Sequence, residues 1–260
     1  MLIDYHVHAL AHGEYEYSHE WIAEYLHRAQ ARNIRQIGFS EHDWFLPRID
    51  FKEVKEVAAK PEFRELTARV GIEVDYKPER EREIHTFLTQ QPYDFAIGSV
   101  HHLGEWPFDH PDHKAEFSRR DIDDIYQEYY SLIDRVVRSN LFDIVGHLDL
   151  IKVWGFKPTA HRENFFIKPL LNEIRISGMA VEINTGGLRK PVKEIYPSEV
   201  LLQDLFAYNI PITFGSDAHH PDDLGYGLDA ALQAAWKVGY RKMVGFNKRR
   251  NIMYPIIRIR

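Results

Sequence analysis

Short apolar runs alternate with longer amphipathic segments along most of the chain. The apolar runs have the length and composition of buried strands, and the amphipathic segments have the periodicity of helices that cover a sheet. Predicted strands lie at residues 1–8, 34–43, 70–76, 93–102, 142–150, 179–185, 210–220 and 242–246. Predicted helices lie at residues 18–31, 50–69, 78–89, 120–140, 162–176, 198–208 and 222–238. Ser18 stands where a helix N-cap is preferred.

This alternation of strands and helices predicts one parallel sheet with right-handed crossovers. About seven such units in one chain favour a closed α/β barrel, and an open doubly wound sheet is the alternative. No linker or low-complexity stretch interrupts the pattern, so we predict a single domain over residues 1–260. The loop "GEWPFDHPDHKAEF" follows a predicted strand and is interpreted as a functional insertion.

Composition narrows the class of protein. A net charge of −6 and an isoelectric point near 6.2 give no basic excess, so we expect no nucleic-acid partner. No stretch has the length of a membrane span and the first residues lack a signal-peptide pattern, so we expect a cytoplasmic protein without membrane attachment. Because the chain has no cysteine, a bound metal would have nitrogen and oxygen ligands. The sequence does not indicate an oligomeric state.

Side chains of the metal-binding type stand at the carboxyl ends of the predicted strands. The first strand ends in an H-x-H motif, and its two histidines project to the same face because strand residues alternate. The whole set is His6, His8, His42, Glu73, His101, His147, Asp217 and His219. In a parallel barrel these strand ends meet at one mouth, where active sites of such barrels lie. We therefore predict that these side chains converge on a metal centre.

The ligand types restrict the metal. Imidazoles mixed with carboxylates suit Zn, Fe or Mn, whereas Ca and Mg favour a shell made of oxygens. The set is too large for one ion, so we predict two or three divalent ions, with Glu73 as the bridging carboxylate. Hydroxide held between two such ions is nucleophilic at neutral pH, and the ions neutralise charge on a phosphoryl group.

The motifs H-x-H, "SEHD", "GIEVD", "GSVHH", "VGHLD" and "GSDAHH", in this order, resemble the PHP superfamily, named after polymerase and histidinol phosphatase. The resemblance spans almost the whole chain and implies a distorted (β/α)7 barrel with up to three metal ions. It implies one ion held by His6, His8, Glu73 and Asp217, a second by Glu73, His101 and His147, and a third by His12, His42 and His219. His19 is the alternative to His12.

Two stretches, "GSVHHLGEWPFDHPDH" and "DIVGHLDLIKVWGFKP", resemble the stand-alone histidinol-phosphate phosphatases of that superfamily. This resemblance implies hydrolysis of L-histidinol phosphate to L-histidinol and phosphate, a step of histidine biosynthesis. Trp106, Phe108 and Asp109 are then candidates for a wall around the imidazole and amine of this substrate.

Hydrolysis of a phosphate monoester needs a basic residue that binds the phosphate and a donor that protonates the leaving group. Arg162 is the favoured phosphate ligand, and Arg189 and Lys190 follow "EINTGG" as further candidates. Asp217 and His42 are the candidate proton donors.

Two further interpretations concern the carboxylates beside His42 and the basic residues near the end of the chain. Glu41 and Asp43 flank His42 and are interpreted as carboxylates that orient its ring. The Lys and Arg run of the closing stretch "NKRRNIMYPIIRIR" is interpreted as a solvated face.

Other functions stay open on the sequence. A phosphodiesterase or nuclease uses similar metals, but the acidic balance and the lack of a basic groove disfavour it. An amidohydrolase also begins with H-x-H, yet no lysine ends a predicted strand core. A non-catalytic metal-binding module is disfavoured by the completeness of the ligand set. We therefore predict a metal-dependent phosphatase acting on a small monoester, either L-histidinol phosphate or another ester.

Overall fold

The computed structural model describes residues 1–162 and 164–257. Its strands are β1 (Leu2–Val7), β2 (Ile34–Phe39), β3 (Thr67–Asp75), β4 (Phe95–Ser99), β5 (His102–Leu103), β6 (Trp106–Pro107), β7 (Ile144–Val145), β8 (Ala180–Asn184), β9 (Ile212–Gly215), β10 (Lys242–Asn247) and β11 (Arg250–Pro255). Seven of them form one parallel sheet in the order β1-β2-β3-β4-β7-β8-β9. β5 and β6 form a separate antiparallel pair.

The sheet closes into a barrel at the carboxyl ends of its first and last strands. Val7 and Ala218 form a parallel bridge. The backbone N–H of His8 donates to the carbonyl of Ala218 over 2.8 Å, and the N–H of Ala218 donates to the carbonyl of His6 over 3.2 Å. The predicted distorted (β/α)7 barrel is confirmed, and its seam places the H-x-H motif beside the loop that follows β9.

Helices cover the outer face of the sheet. They are α1 (His19–Ala31), α2 (Phe51–Ala58), α3 (Glu81–Gln90), α4 (Ile122–Arg138), α5 (Asn164–Ile167), α6 (Leu171–Ser177), α7 (Glu199–Ala207) and α8 (Leu228–Val238). Ser18 caps α1 as predicted, because its hydroxyl accepts from the N–H of Trp21. Among the described residues, none of the helices combines the length and hydropathy needed to cross a bilayer.

Three predicted helices differ from the observed ones. The helix predicted over 222–238 begins only at Leu228, after a 3-10 turn at Pro221–Asp223. The helix predicted over 50–69 ends at Ala58, and Thr67 already belongs to β3. The helix predicted over 162–176 is interrupted at Pro169, where a 3-10 turn separates α5 from α6. Proline lacks a backbone N–H and its ring clashes with the preceding turn, so a regular helix does not continue through it.

Lys248 and Arg250 of the basic C-terminal stretch are exposed and Arg249 is half-buried, which agrees with the interpretation of its Lys and Arg run as a solvated face. β11 pairs with β10 in an antiparallel hairpin that covers the amino-terminal end of the barrel. Tyr5 accepts from the N–H of Phe246 over 3.0 Å and packs edge-on against Phe246 and Phe95. Residues 258–260 lie outside the described residues. The hairpin closes the end of the barrel that lies opposite the metal-type side chains.

Candidate metal centre

One buried carboxylate, that of Glu73 on β3, lies at the centre of the barrel mouth. Imidazole nitrogens surround both of its oxygens. They are His147 Nε2 at 2.9 Å and His101 Nε2 at 3.6 Å from Oε1, and His42 Nδ1 at 2.9 Å, His6 Nε2 at 3.3 Å and His8 Nε2 at 3.5 Å from Oε2. The strands carry these residues to one point because their carboxyl ends meet there.

The imidazoles determine the charge state of Glu73. Burial alone would raise the pKa of its carboxyl group. His6, His42 and His101 outweigh this effect and hold the pKa of Glu73 well below its usual value. The carboxylate is therefore ionised and can act as a ligand with both oxygens.

The loop after β9 brings two more predicted residues to the cluster. Asp217 Oδ1 lies 3.5 Å from His8 Nε2 and 3.8 Å from His6 Nε2. The φ angle of Asp217 is 57°, in the left-handed region that non-glycine residues rarely adopt. The ring of His219 lies 4.4 Å from that of His8, and the exposed ring of His12 stacks on His219 at 4.5 Å.

The structure distinguishes between the two histidines proposed for the outermost ligand position. His19 belongs to α1, and its Nδ1 lies 2.9 Å from Glu53 Oε1 on α2. His12 has its ring 6.4 Å from that of His42 in addition to its contact with His219. His12 is therefore the one that joins the cluster.

The ligand atoms form three overlapping groups, within each of which they lie within 4.8 Å of one another. The groups are His8, His42 and His219; His6, Glu73 and His147; and His6, His8 and Asp217. The last agrees with the first predicted ligand set. The other two groups differ from the predicted ligand sets. His8 stands in place of His12 in the group with His42 and His219, and His6 stands in place of His101 in the group with Glu73 and His147. His6 and His8 therefore each belong to two groups.

Unpaired polar atoms test whether this site suits metal ions. Buried atoms without a hydrogen-bond partner among the described residues include Nε2 of His6, both ring nitrogens of His8, Nδ1 of His42 and Oε2 of Glu73. Leaving such an atom unpaired costs about 1–3 kcal/mol, so folded proteins seldom keep several together. A cluster of imidazole and carboxylate lone pairs is the donor set that Zn, Fe and Mn bind. The residues fit divalent ions.

Two buried carboxylates that contact these histidines were missed from the sequence. Glu182 on β8 lies 2.8 Å from His6 Nδ1. Asp75 at the end of β3 lies 3.4 Å from His101 Nδ1. A signal was available for both, since each carboxylate interrupts an apolar strand, and Asp75 stands two residues after Glu73 on the same face.

The carboxylates on either side of His42 have other roles than the one predicted. Glu41 accepts from the N–H of Ala9 over 2.6 Å and from the hydroxyl of Tyr17 over 2.9 Å. Oδ2 of Asp43 lies 2.6 Å from Nη2 of Arg80. The interpretation that they orient the His42 ring is wrong, because both hold neighbouring segments in place.

The two predicted arginines occupy different environments. Nη2 of Arg189 donates to the carbonyls of Ser216 and Asp217, each over 2.8 Å. Its Nη1 is buried and has no partner within the described ranges. Arg162 is exposed in the segment before α5, and Lys190 is exposed after the 3-10 turn that carries Arg189. Arg189 is therefore built into the mouth.

The inserted loop after β4 places its three candidate residues at different depths. Trp106 is partly exposed and its indole N–H donates to the carbonyl of His113 over 3.1 Å. Phe108 is fully buried, with its ring 5.6 Å from that of Tyr129. A wall that contacts substrate needs an exposed face, so the prediction for Phe108 is corrected to that of a loop anchor.

Asp109 lies near the cluster. Burial would lower the pKa of His101, but Glu73, Asp75 and Asp109 outweigh it and raise the pKa of His101 to about 10. Asp109 is only half-buried, so its carboxylate can face a cationic group at the mouth.

The burial of Phe108 predicts the effect of its removal. Phe108→Ala is expected to lower the free energy of unfolding by about 3–5 kcal/mol, because a large ring leaves a cavity against Tyr129. Urea denaturation measures this change. Phe206→Ala, which removes a ring that is 39% exposed, is the control and should cost less. A stable Phe108→Ala protein whose KM rises tenfold or more would instead support contact with substrate.

Comparisons with known proteins decide the family. Residues 4–186 match the model of the PHP domain. The chain belongs to the PHP domain family. A probable histidinol-phosphatase of Deinococcus radiodurans is 38% identical over 176 residues, which cover 68% of this PHP chain and 66% of that protein. The histidinol-phosphatase of Bacillus subtilis (strain 168) is 31% identical over 267 residues. This match covers 88% of this chain and 98% of the Bacillus protein.

A solved PHP-type structure confirms the architecture. The crystal structure of histidinol phosphate phosphatase from Lactococcus lactis subsp. lactis, complexed with Zn, L-histidinol and phosphate, superposes with a TM-score of 0.80 at 24% identity. The match covers 96% of this chain and 98% of that one. The two proteins share one fold over nearly their whole length.

Proposed function

We propose that this PHP domain protein is a metal-dependent phosphatase that hydrolyses L-histidinol phosphate to L-histidinol and phosphate. The observation that carries the proposal is the Glu73 carboxylate with imidazoles on both oxygens at the barrel mouth. The similarity to histidinol-phosphatases along the chain supports this substrate. The proposal treats residues 1–260 as one catalytic domain that acts in histidine biosynthesis in the cytoplasm.

The proposed cofactor is two or three divalent ions of Zn, Fe or Mn. Their proposed ligands are His6, His8, His12, His42, Glu73, His101, His147, Asp217 and His219. When bound, such ions neutralise charge on the phosphoryl group and activate a water molecule. The protein's part is to fix these donors around one carboxylate before substrate arrives.

The alkoxide that leaves when the phosphate ester is hydrolysed needs a proton from a side chain at the open end of the cluster. Burial would raise the pKa of the predicted donor Asp217, but His6, His8 and His219 outweigh this effect and hold its pKa well below the usual value. Its carboxylate therefore carries no proton to donate, and we assign the proton transfer to the other predicted donor, His42, whose side chain is 9% exposed.

Basic and acidic groups around the mouth match the two ends of the substrate. The Arg189 side chain is 23% exposed and supplies positive charge for a phosphate group at the mouth. Asp109, whose carboxylate acts on His101, is the proposed partner of the amine or imidazole of histidinol, and Trp106 supplies a partly exposed indole from the same loop. These contacts favour a small cationic monoester.

Arg162 is proposed to complete the phosphate site from the loop before α5. Arg162→Ala is expected to raise KM for L-histidinol phosphate by roughly 10-fold or more, since a hydrogen bond to a charged group contributes about 1.5–3 kcal/mol. Steady-state kinetics measure KM, and metal content should not change. Lys168→Ala removes another exposed cation of the same connection and is the control. An unchanged KM would move the phosphate site to Arg189 alone.

Competing esters test the substrate. The rate of phosphate release from L-histidinol phosphate is compared with turnover of an aryl phosphate and an aryl phosphodiester on metal-loaded protein. We expect kcat/KM for histidinol phosphate to exceed the other two by orders of magnitude. A preference for the diester would support a phosphodiesterase or nuclease, and would overturn the expectation that no nucleic acid is bound.

A further inference from the structure

The side chain of Glu182 contacts residues on or next to the strands β1, β7 and β8, beside the metal cluster. Its carboxylate lies inside the barrel and is 1% exposed. Oε1 lies 2.8 Å from His6 Nδ1 on β1. Oε2 accepts from the backbone N–H of His147, next to β7, and from the side-chain amide of Asn184 on β8, each over 3.1 Å. The backbone N–H of His147 and the side-chain amide of Asn184 both donate, so Glu182 serves as a hydrogen-bond acceptor here.

This contact determines which nitrogen of His6 carries the proton. A neutral imidazole has one N–H, and its position follows the hydrogen bond made by either nitrogen. An ionised carboxylate only accepts, so Nδ1 of His6 must donate to Glu182. In the neutral ring, which is the form that binds a metal ion, Nε2 then has the free lone pair. That atom lies 3.3 Å from Glu73 Oε2 and 3.8 Å from Asp217 Oδ1, and it has no hydrogen-bond partner among the described residues.

Asn184 competes for the same nitrogen. The carbonyl oxygen of its side chain accepts from the N–H of Gly186 over 2.8 Å, which directs its amide nitrogen towards Glu182 and His6. Asn184 Nδ2 lies 3.4 Å from His6 Nδ1 and would favour the opposite tautomer. The carboxylate contact is shorter and charge-assisted, so Glu182 determines the tautomer.

We propose that Glu182 is a positioning residue that selects the Nδ1–H tautomer of His6 and so prepares His6 Nε2 as a metal ligand. The inference deepens the metal centre proposed above and rests on it. Glu182 belongs to none of the three groups of candidate ligand atoms and acts through His6. Space around it is restricted, since a Cβ on Gly215 would lie 1.9 Å from Glu182 Oε1.

Glutamine at this position reverses the tautomer. The oxygen of a glutamine amide must take the place of Oε2, because two N–H donors, from His147 and Asn184, point there. Its NH2 group then faces His6 Nδ1, which becomes an acceptor and moves the ring proton to Nε2. A protonated Nε2 cannot bind a metal ion.

Metal affinity tests the proposal without depending on turnover. Zn²⁺ is titrated against a competing chelator in wild-type protein, Glu182→Gln and Glu182→Asp. We expect Glu182→Gln to weaken one Zn²⁺ by 10–100-fold, the usual effect of losing a carboxylate behind a ligating histidine. Glu182→Asp keeps the acceptor and should recover part of the affinity. Glu199→Gln, which changes an exposed carboxylate paired with Lys237, should bind like wild type.

Activity against metal concentration separates this role from a purely structural one. Excess Zn²⁺ should restore kcat of Glu182→Gln towards the wild-type value with KM unchanged. Zn²⁺ affinity and stoichiometry equal to wild type in Glu182→Gln would overturn the proposal. Failure of histidinol phosphate as a substrate would not, because Zn²⁺ binding is measured without any ester.

The wild-type protein gives a direct second test if Glu182→Gln does not fold. Nitrogen-15 spectra of histidine side chains in the Zn²⁺-loaded protein report which ring nitrogen carries the proton, and His6→Gln assigns the signal. We expect His6 to carry its proton on Nδ1 in a slowly exchanging hydrogen bond. A proton on Nε2 would overturn the proposal.

Discussion

Glu73→Gln is expected to lower kcat/KM for L-histidinol phosphate by roughly 10³-fold or more and to remove bound metal, with the barrel intact. Both carboxylate oxygens contact imidazoles, two on one side and three on the other. An amide loses the negative charge and replaces one acceptor by a donor, which faces either His147 or His42. Elemental analysis and phosphate release measure the two effects.

The control for Glu73→Gln is Glu199→Gln, which makes the same chemical change at an exposed carboxylate. It should retain wild-type metal content and turnover. Circular dichroism should show unchanged secondary structure in both variants. A Glu73→Gln protein with wild-type metal content and turnover would exclude Glu73 as the shared ligand.

Arg189→Ala is expected to give the next largest loss, about 10²-fold in kcat/KM. Arg189 holds the carbonyls of Ser216 and Asp217, and its guanidinium packs over the ring of Tyr226. The backbone of Asp217 is in the left-handed region and needs this support. A displacement of about 1 Å in a group at the reaction centre costs on the order of 10²-fold in rate.

Matched variants separate geometry from charge at this position. Arg189→Lys keeps the positive charge but lacks the planar fork that reaches both carbonyls, so it should recover only part of the activity. Lys190→Ala removes the exposed neighbouring cation and should remain near wild type. Full activity in Arg189→Lys would show that charge alone matters, and activity of Arg189→Ala within about twofold of wild type would exclude a role in placing Asp217.

The barrel and most of the candidate ligands were predictable because their signals are local. An apolar run followed by a histidine or carboxylate identifies both a strand and its carboxyl end, as in "GIEVD" and "VGHLD". In a parallel barrel those ends must meet, so the convergence of His101 and His147 on Glu73 needed no knowledge of distant contacts.

The features that the sequence missed or left incomplete depend on distant contacts. Phe108 reads as a loop aromatic, and only its packing on Tyr129 of α4 shows that it is an anchor. From the sequence, Arg189 is predicted only as a basic residue of a loop. Its hydrogen bonds to the carbonyls of Ser216 and Asp217 depend on the path of the chain after β9. The second strand of the C-terminal hairpin was missed, because most of its side chains are exposed and such a strand needs no continuous apolar run.

The measurement that tests the metal-dependent phosphatase most directly is phosphate release from L-histidinol phosphate as Zn²⁺, Fe²⁺ or Mn²⁺ is added to metal-stripped protein. We predict no turnover without metal, a rise that follows occupancy, and saturation at two or three ions per chain. The same titration of Glu73→Gln should give no such rise. Phosphate release by the stripped protein, or a fully loaded protein that leaves L-histidinol phosphate intact, would contradict the account.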